Sequence, residues 1–123
     1  MIIALWIVSG ILALAFAGAG VMKTTQPRTK LAANMAYVED FSDSQVKVIG
    51  GLELLGAIGL VLPMLTGVLP WLTPAAAFGL ALTMVGAIIV HVRRGEGKGI
   101  APNIVLLAAS LFVGLGWIAQ LAA

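Results

Sequence analysis

Five side chains able to bind a ligand or pass a proton lie in or at the ends of apolar segments: Glu53, Thr83, His91, Asn103 and Ser110. Glu53 is the most conspicuous. It sits in GGLELLGAIGL, residues 50–60, and the nearest charged neighbour is Lys47. An ionised carboxylate in hydrocarbon is costly, so such an acid is expected to face a packed interior. Unless His91 or a lysine reaches it, desolvation should hold it neutral. A neutral carboxyl donates one hydrogen bond and accepts others, which suits a carbonyl-bearing ligand or a proton relay. The alternative is a bond to a neighbouring helix that only fixes packing. His91 stands two residues from Arg93–Arg94, so it is either a ligand-facing group or an ordinary interfacial histidine. Asn103 follows Pro102 and can equally serve as a helix cap. Lys47 is expected to snorkel.

Absent residue types exclude whole classes of chemistry. There is no cysteine, which removes disulfides, thiol catalysis, iron–sulfur clusters and thiolate metal sites. One histidine cannot supply both axial ligands of a haem within one chain. No metal site is expected, and neither an intrinsic redox centre nor an activated nucleophile is visible, so whether the chain is an enzyme stays open. A formal charge of +2, with no basic run among aromatics, argues against nucleic-acid binding.

The polar residues must be held by apolar elements. The 123 residues are 61% hydrophobic and 10% charged, with mean hydropathy +1.11. Lipid is the solvent for such a chain. The apolar residues fall into four blocks at about 2–22, 43–62, 74–93 and 102–121. About twenty helical residues cover ~30 Å, the hydrocarbon thickness. The expected fold is all-α, a membrane-embedded four-helix bundle forming a single domain. The first block is read as a retained helix rather than a signal peptide, because it lacks a basic start and is long. Ser42 and Gln45 in FSDSQV form a capping box, with Phe41 and Val46 as its hydrophobic staple. Pro63 is expected to end the second helix, and Thr73–Pro74 to cap and open the third.

Charge sets an orientation. Lys23, Arg28, Lys30, Lys47, Arg93, Arg94 and Lys98 all lie in or beside the first and third loops, and the second loop has none. The positive-inside rule puts those two loops in the cytoplasm and both termini outside, in a bacterial inner membrane. Trp6, Trp71 and Trp117 then fall at the outer interface as one belt. Between spans one and two, Leu31, Met35 and Val38 recur at helical spacing, predicting a short interfacial amphipathic helix. A solvated loop is the alternative there.

Membrane helices pack through small residues. Stripes at spacing three or four run through Gly10, Ala13, Ala17 and Gly20; Gly50, Glu53, Ala57 and Leu60; Ala75, Gly79, Thr83 and Ala87; and Asn103, Leu107, Ser110 and Gly114. Glu53 lies six residues past Lys47, hence ~9 Å deep, while Thr83 and Ser110 lie ~12–15 Å from the same side. These positions predict a polar pocket opening inward. Glu53 forms its wall, Thr83 and Ser110 lie above, and His91 and Asn103 lie below.

The strings AFAGAGVMK, GGLELLGAIGLVLP, MVGAIIVH and PNIVLLAASLF, in this order and spacing, resemble the DoxX-like family of small four-helix membrane proteins. The matching polar positions are Lys23, Glu53, His91 and Asn103. The family takes its name from membrane subunits linked to quinone-dependent sulfur oxidation. Other members are associated with oxidative-stress complexes or quinone resistance, and distant animal relatives act in receptor assembly. The resemblance therefore implies a quinone as a candidate ligand and a redox-complex protein as a candidate partner, in addition to the bilayer itself. The absence of cysteines argues against electron transfer by this chain alone. Two other classes remain: a non-enzymatic assembly or scaffold protein, and a small oligomeric transporter. The packed small-residue stripes predict a monomer or weak dimer.

Overall fold

The computed structural model describes residues 1–31 and 41–123, with backbone only at positions 28, 29, 98 and 99. Among the described residues five helices follow one another: α1 (Ile2–Thr25), α2 (Arg28–Leu31), α3 (Asp43–Thr66), α4 (Leu72–Arg93) and α5 (Gly97–Ala122). All but α2 are long and apolar enough to cross a membrane. The segment around Met35, where the amphipathic helix was expected, lies outside the described residues.

The start of α3 forms as its sequence dictates. The Ser42 hydroxyl accepts from the Gln45 amide at 3.1 Å, and the Gln45 side chain accepts from the Ser42 amide at 2.9 Å. Two donors that the first turn would otherwise orphan are thereby satisfied. Phe41 packs with Val46 and Leu31, completing the staple.

The far end of α3 differs from the expectation. The helix runs through Pro63 to Thr66 and ends on Gly67, whose φ of 74° is the left-handed conformation suited to glycine. Proline has no amide hydrogen, so a helix that continues past it leaves the carbonyl four residues earlier without its usual donor. That carbonyl belongs to Gly59, and the Thr73 hydroxyl donates to it at 2.9 Å. Thr73 is thus no cap. It is fully buried inside α4, which begins at Leu72 behind Trp71. Likewise α5 starts five residues ahead of Pro102, at Gly97. Membrane helices tolerate internal proline where neighbouring groups satisfy the released backbone, and Thr73 supplies that partner for Pro63.

Each long helix buries one face. In α1 that face is Leu5, Ser9, Leu12, Phe16, Gly20 and Lys23; in α3 it is Val46, Gly50, Glu53, Ala57 and Leu60. The opposite faces expose Ile3, Ile7, Ile11, Leu52, Leu55 and Leu82. Apolar exposure on this scale suits hydrocarbon and not water. The bundle centre combines large side chains, among them Leu12, Phe16, Leu60, Leu80 and Met84, with Ala57 and Ala77, and the stripe expected on α3, Gly50, Glu53, Ala57 and Leu60, faces inward. The expected stripe Ala75–Gly79–Thr83–Ala87 lies beside the core face of α4: Ala75 and Gly79 are exposed, while Ala77, Leu80 and Met84 point inward.

The tryptophans also divide. Trp117 is buried, donates to the Ser9 hydroxyl at 3.1 Å and meets Trp6 edge to face at 5.2 Å. Only Trp71 is exposed to the extent an interfacial anchor would be, at 53%. The shared end predicted for all three holds, since the start of α1, the α3–α4 turn and the end of α5 lie together in an up-and-down bundle. The single belt does not, because Trp117 joins the core.

The helices form two closely packed pairs, α1 with α3 and α4 with α5. Contacts between the pairs gather at the tryptophan end. There, Gly59 and Gly56 of α3 meet Ala76 and Leu80 of α4, and Leu5 of α1 packs on Gly116 of α5. Toward the other end the pairs part, and the polar side chains line the space between them.

Candidate functional site

The space is a cavity of about 780 Å³ lined by all four spanning helices. From α1 come Phe16, Ala19 and Lys23; from α3, Ile49 and Glu53; from α4, Thr83, Met84 and His91; from α5, Asn103 and Leu106. Five of the six residues singled out from sequence therefore meet in one place. Ser110 does not line it. The Ser110 hydroxyl is fully buried and donates to the Leu106 carbonyl at 2.7 Å within its own helix, the usual way a serine is satisfied in apolar surroundings.

The partner of Glu53 is Lys23. Its ammonium lies 2.5 Å from Glu53 Oε1, and both side chains are almost wholly buried. The Glu53 carboxylate is therefore ion-paired across α1 and α3, the lysine contact that the sequence left open as the alternative to an isolated neutral acid. A local cause makes this reach possible. Gly20 and Gly50 let the two backbones approach so closely that a Cβ on Gly50 would stand 2.6 Å from Lys23 Cβ, and one on Gly20 would stand 2.7 Å from the Gly50 carbonyl oxygen. Lys23 continues the buried face of α1 by one more step of three, so its stem runs along α3 and its ammonium meets Glu53. A buried carboxylate and a buried ammonium each satisfy the other.

His91 belongs to a second cluster at the end of α4. Its Nδ1 lies 3.2 Å from Glu96 Oε1, which also accepts from Arg94 Nε at 3.1 Å. Glu96 lines the cavity and was missed in the sequence reading. The turn brings it there. Gly95 has φ of 68°, and the Glu96 amide bonds back to the His91 carbonyl at 2.9 Å, the long-range closure of a Schellman-type helix end. The signal was legible as a glycine directly after Arg93–Arg94, which places the next residue over the last helical turn. Phe41, assigned only to the staple, is also on the cavity wall.

The Thr83 hydroxyl donates to Gly79 of its own helix at 3.1 Å, and Thr83 stands where the cavity meets a lipid-facing groove between α3 and α4. Among the described residues, every buried side-chain nitrogen or oxygen has a partner, and no cluster of three or more His, Asp or Glu residues suits a metal ion. The geometry offers an apolar cavity with one buried ion pair, one histidine–carboxylate–guanidinium cluster and an amide. It can hold an apolar body and hydrogen-bond a polar head.

A family model, that of the DoxX-like family, matches residues 7–113. Neither curated proteins nor solved structures give a significant match. The matched stretch contains every residue of the cavity wall, the four apolar helices suit a bilayer, and the chain belongs to the DoxX-like family of multi-pass membrane proteins.

Proposed function

We propose that this protein binds a small lipophilic molecule, such as a quinone, in the cavity between its helix pairs and serves as a non-catalytic membrane subunit of a redox complex. The observation that carries this reading is the combination of an apolar cavity of about 780 Å³ with the Lys23–Glu53 pair in its wall. Ligand cavities are mostly apolar with a few placed polar groups. Ionisable residues within membrane spans are rare, pair with one another inside the bundle and commonly mark functional sites. In this reading Lys23, Glu53, His91 and Asn103 contact the polar head, and Thr83 lies beside its apolar part. The quinone is what the family resemblance implies.

Mass spectrometry of small molecules released from protein extracted in mild detergent tests the reading. A quinone or another lipophilic compound should be retained in near-stoichiometric amount, and Glu53→Gln should lower the retained amount. Protein that carries only bulk lipid, in proportions equal for both forms, would remove the basis of the proposal.

One observation favours a second reading, that of an assembly or scaffold protein. The Lys23–Glu53 pair sits beside the Gly20–Gly50 contact and locks α1 to α3, which is what a purely structural pair would do.

The proposed setting is a bacterial inner membrane with termini outside, supported by the seven basic residues gathered at the cavity end of the bundle. A reporter active only in the periplasm, fused after Ala123, should be active. Activity solely from a cytoplasm-dependent reporter would invert the orientation and turn the cavity outward.

A further inference from the structure

Two features of the cavity bear on what its occupant must look like. The first is charge. Among the described lining residues the ionisable groups are Lys23, Glu53, His91 and Glu96. Lys23 is paired with Glu53, and Glu96 is held by Arg94 and His91. Among these described groups the two cations Lys23 and Arg94 are matched by the two carboxylates Glu53 and Glu96. An anionic head would have to lie against two carboxylates, and a cationic head against Lys23. Both are unfavourable in a medium of low dielectric constant, where an uncompensated charge is most costly. An uncharged head with hydrogen-bonding atoms meets neither penalty.

The second feature is an exit. The cavity is not closed toward α3 and α4. Gly86 is on its wall and exposed, and a Cβ there would meet open space. One turn away, Thr83 belongs both to the cavity and to the α3–α4 groove of about 760 Å³. That groove is apolar and floored by small residues, Gly56, Gly59, Ala76 and Gly79, with Leu55 and Leu72 on its sides. From Thr83 to Leu72 it follows α4 for eleven residues, ~16 Å at 1.5 Å per residue. Groove and cavity meet at Thr83, the residue that lines both.

We infer that the site takes an uncharged amphiphile with a single long apolar chain, its head in the cavity at Lys23–Glu53 and its chain leaving past Thr83 and Gly86 to lie in the α3–α4 groove. This deepens the ligand-binding reading and rests on it. It adds the charge class of the ligand, its minimum chain length and its route of entry from the bilayer.

Photolabelling of the protein in lipid nanodiscs tests it with two monoacylglycerols, one carrying a diazirine next to the glycerol and the other at the chain end. Head-labelled probe should mark cavity residues, and chain-end probe should mark the α3–α4 groove. Both should be displaced by unmodified monoacylglycerol and resisted by a fatty acid of equal chain length kept ionised. Gly79→Leu fills the groove, and because a Cβ there meets nothing within 4 Å the variant should fold. It should reduce saturable groove labelling about tenfold, the factor expected from an ordinary steric block. Saturable head labelling with the chain end mapping instead to α1, at Ala15 and Ala19, would overturn the groove and leave ligand binding standing. Equal displacement by the fatty acid would overturn the charge class. Labelling that no competitor displaces would overturn this inference together with the ligand-binding reading.

Discussion

Glu53→Leu is expected to destabilise the protein by about 3–5 kcal/mol, because it leaves the Lys23 ammonium buried without its counter-charge. Lys23→Met should cost a similar amount by stranding the carboxylate. The double variant Lys23→Met/Glu53→Leu should recover most of the loss, since well-packed apolar side chains often replace a buried ion pair at little cost or with a gain. The measurement is a thermal or denaturant unfolding series in detergent for the four proteins of the cycle. A strongly non-additive result is expected, as for any two groups in direct contact. Additive losses would mean that the two side chains do not depend on each other. Glu53→Gln should fall between wild type and Glu53→Leu, because an amide can accept from Lys23 but cannot neutralise it. The double variant separates function from packing. If it folds like wild type yet no longer retains the lipophilic ligand, the pair belongs to the site; if it folds and retains ligand unchanged, the pair is structural and the scaffold reading gains.

The second large effect is expected at Thr73. Thr73→Val keeps the shape but removes the hydroxyl that donates to the Gly59 carbonyl, and a buried acceptor left unsatisfied costs about 1–3 kcal/mol. The orphan exists because Pro63 has no amide hydrogen. Pro63→Ala should therefore rescue Thr73→Val, since the new amide at position 63 can bond the same carbonyl within α3. Comparison of unfolding midpoints for Thr73→Val and Pro63→Ala/Thr73→Val checks this. A failure of the alanine to rescue would show that Thr73 acts through packing between α3 and α4 rather than through that carbonyl. Thr73 lines neither the cavity nor the α3–α4 groove, so in Thr73→Val ligand retention should follow stability alone.

Hydropathy and length alone determined four spanning helices and the all-α class, because a backbone in hydrocarbon must satisfy its own hydrogen bonds and a helix does so within one segment. The capping box at Ser42 and Gln45 was equally legible, since its partners are three residues apart and the interaction needs no tertiary neighbour. So was the gathering of Glu53, Thr83, His91 and Asn103, whereas Lys23 was indicated only by the family resemblance. Helical spacing puts each on or beside an inward face, and up-and-down connection brings those faces to one end.

What each polar group does there depended on distances between helices, which no single-helix pattern contains. The choice of Lys23 rather than His91 as the partner of Glu53 follows from the Gly20–Gly50 approach, and His91 is taken up by Glu96 through the left-handed turn at Gly95. Ser110 lies at a suitable depth and on a suitable face, yet its hydroxyl is used within α5 and the cavity wall there is completed by Leu106. Proline illustrates the same limit. Locally Pro63 reads as a stop, and only a hydroxyl supplied from α4 lets α3 continue to Thr66. Trp117 reads as an interfacial anchor until Ser9, 108 residues earlier in the chain, offers its indole an acceptor inside the bundle. Local propensity sets where helices form and which side faces inward; the pairing of polar groups waits for packing, because a hydrogen bond or ion pair forms only between atoms brought within about 3 Å.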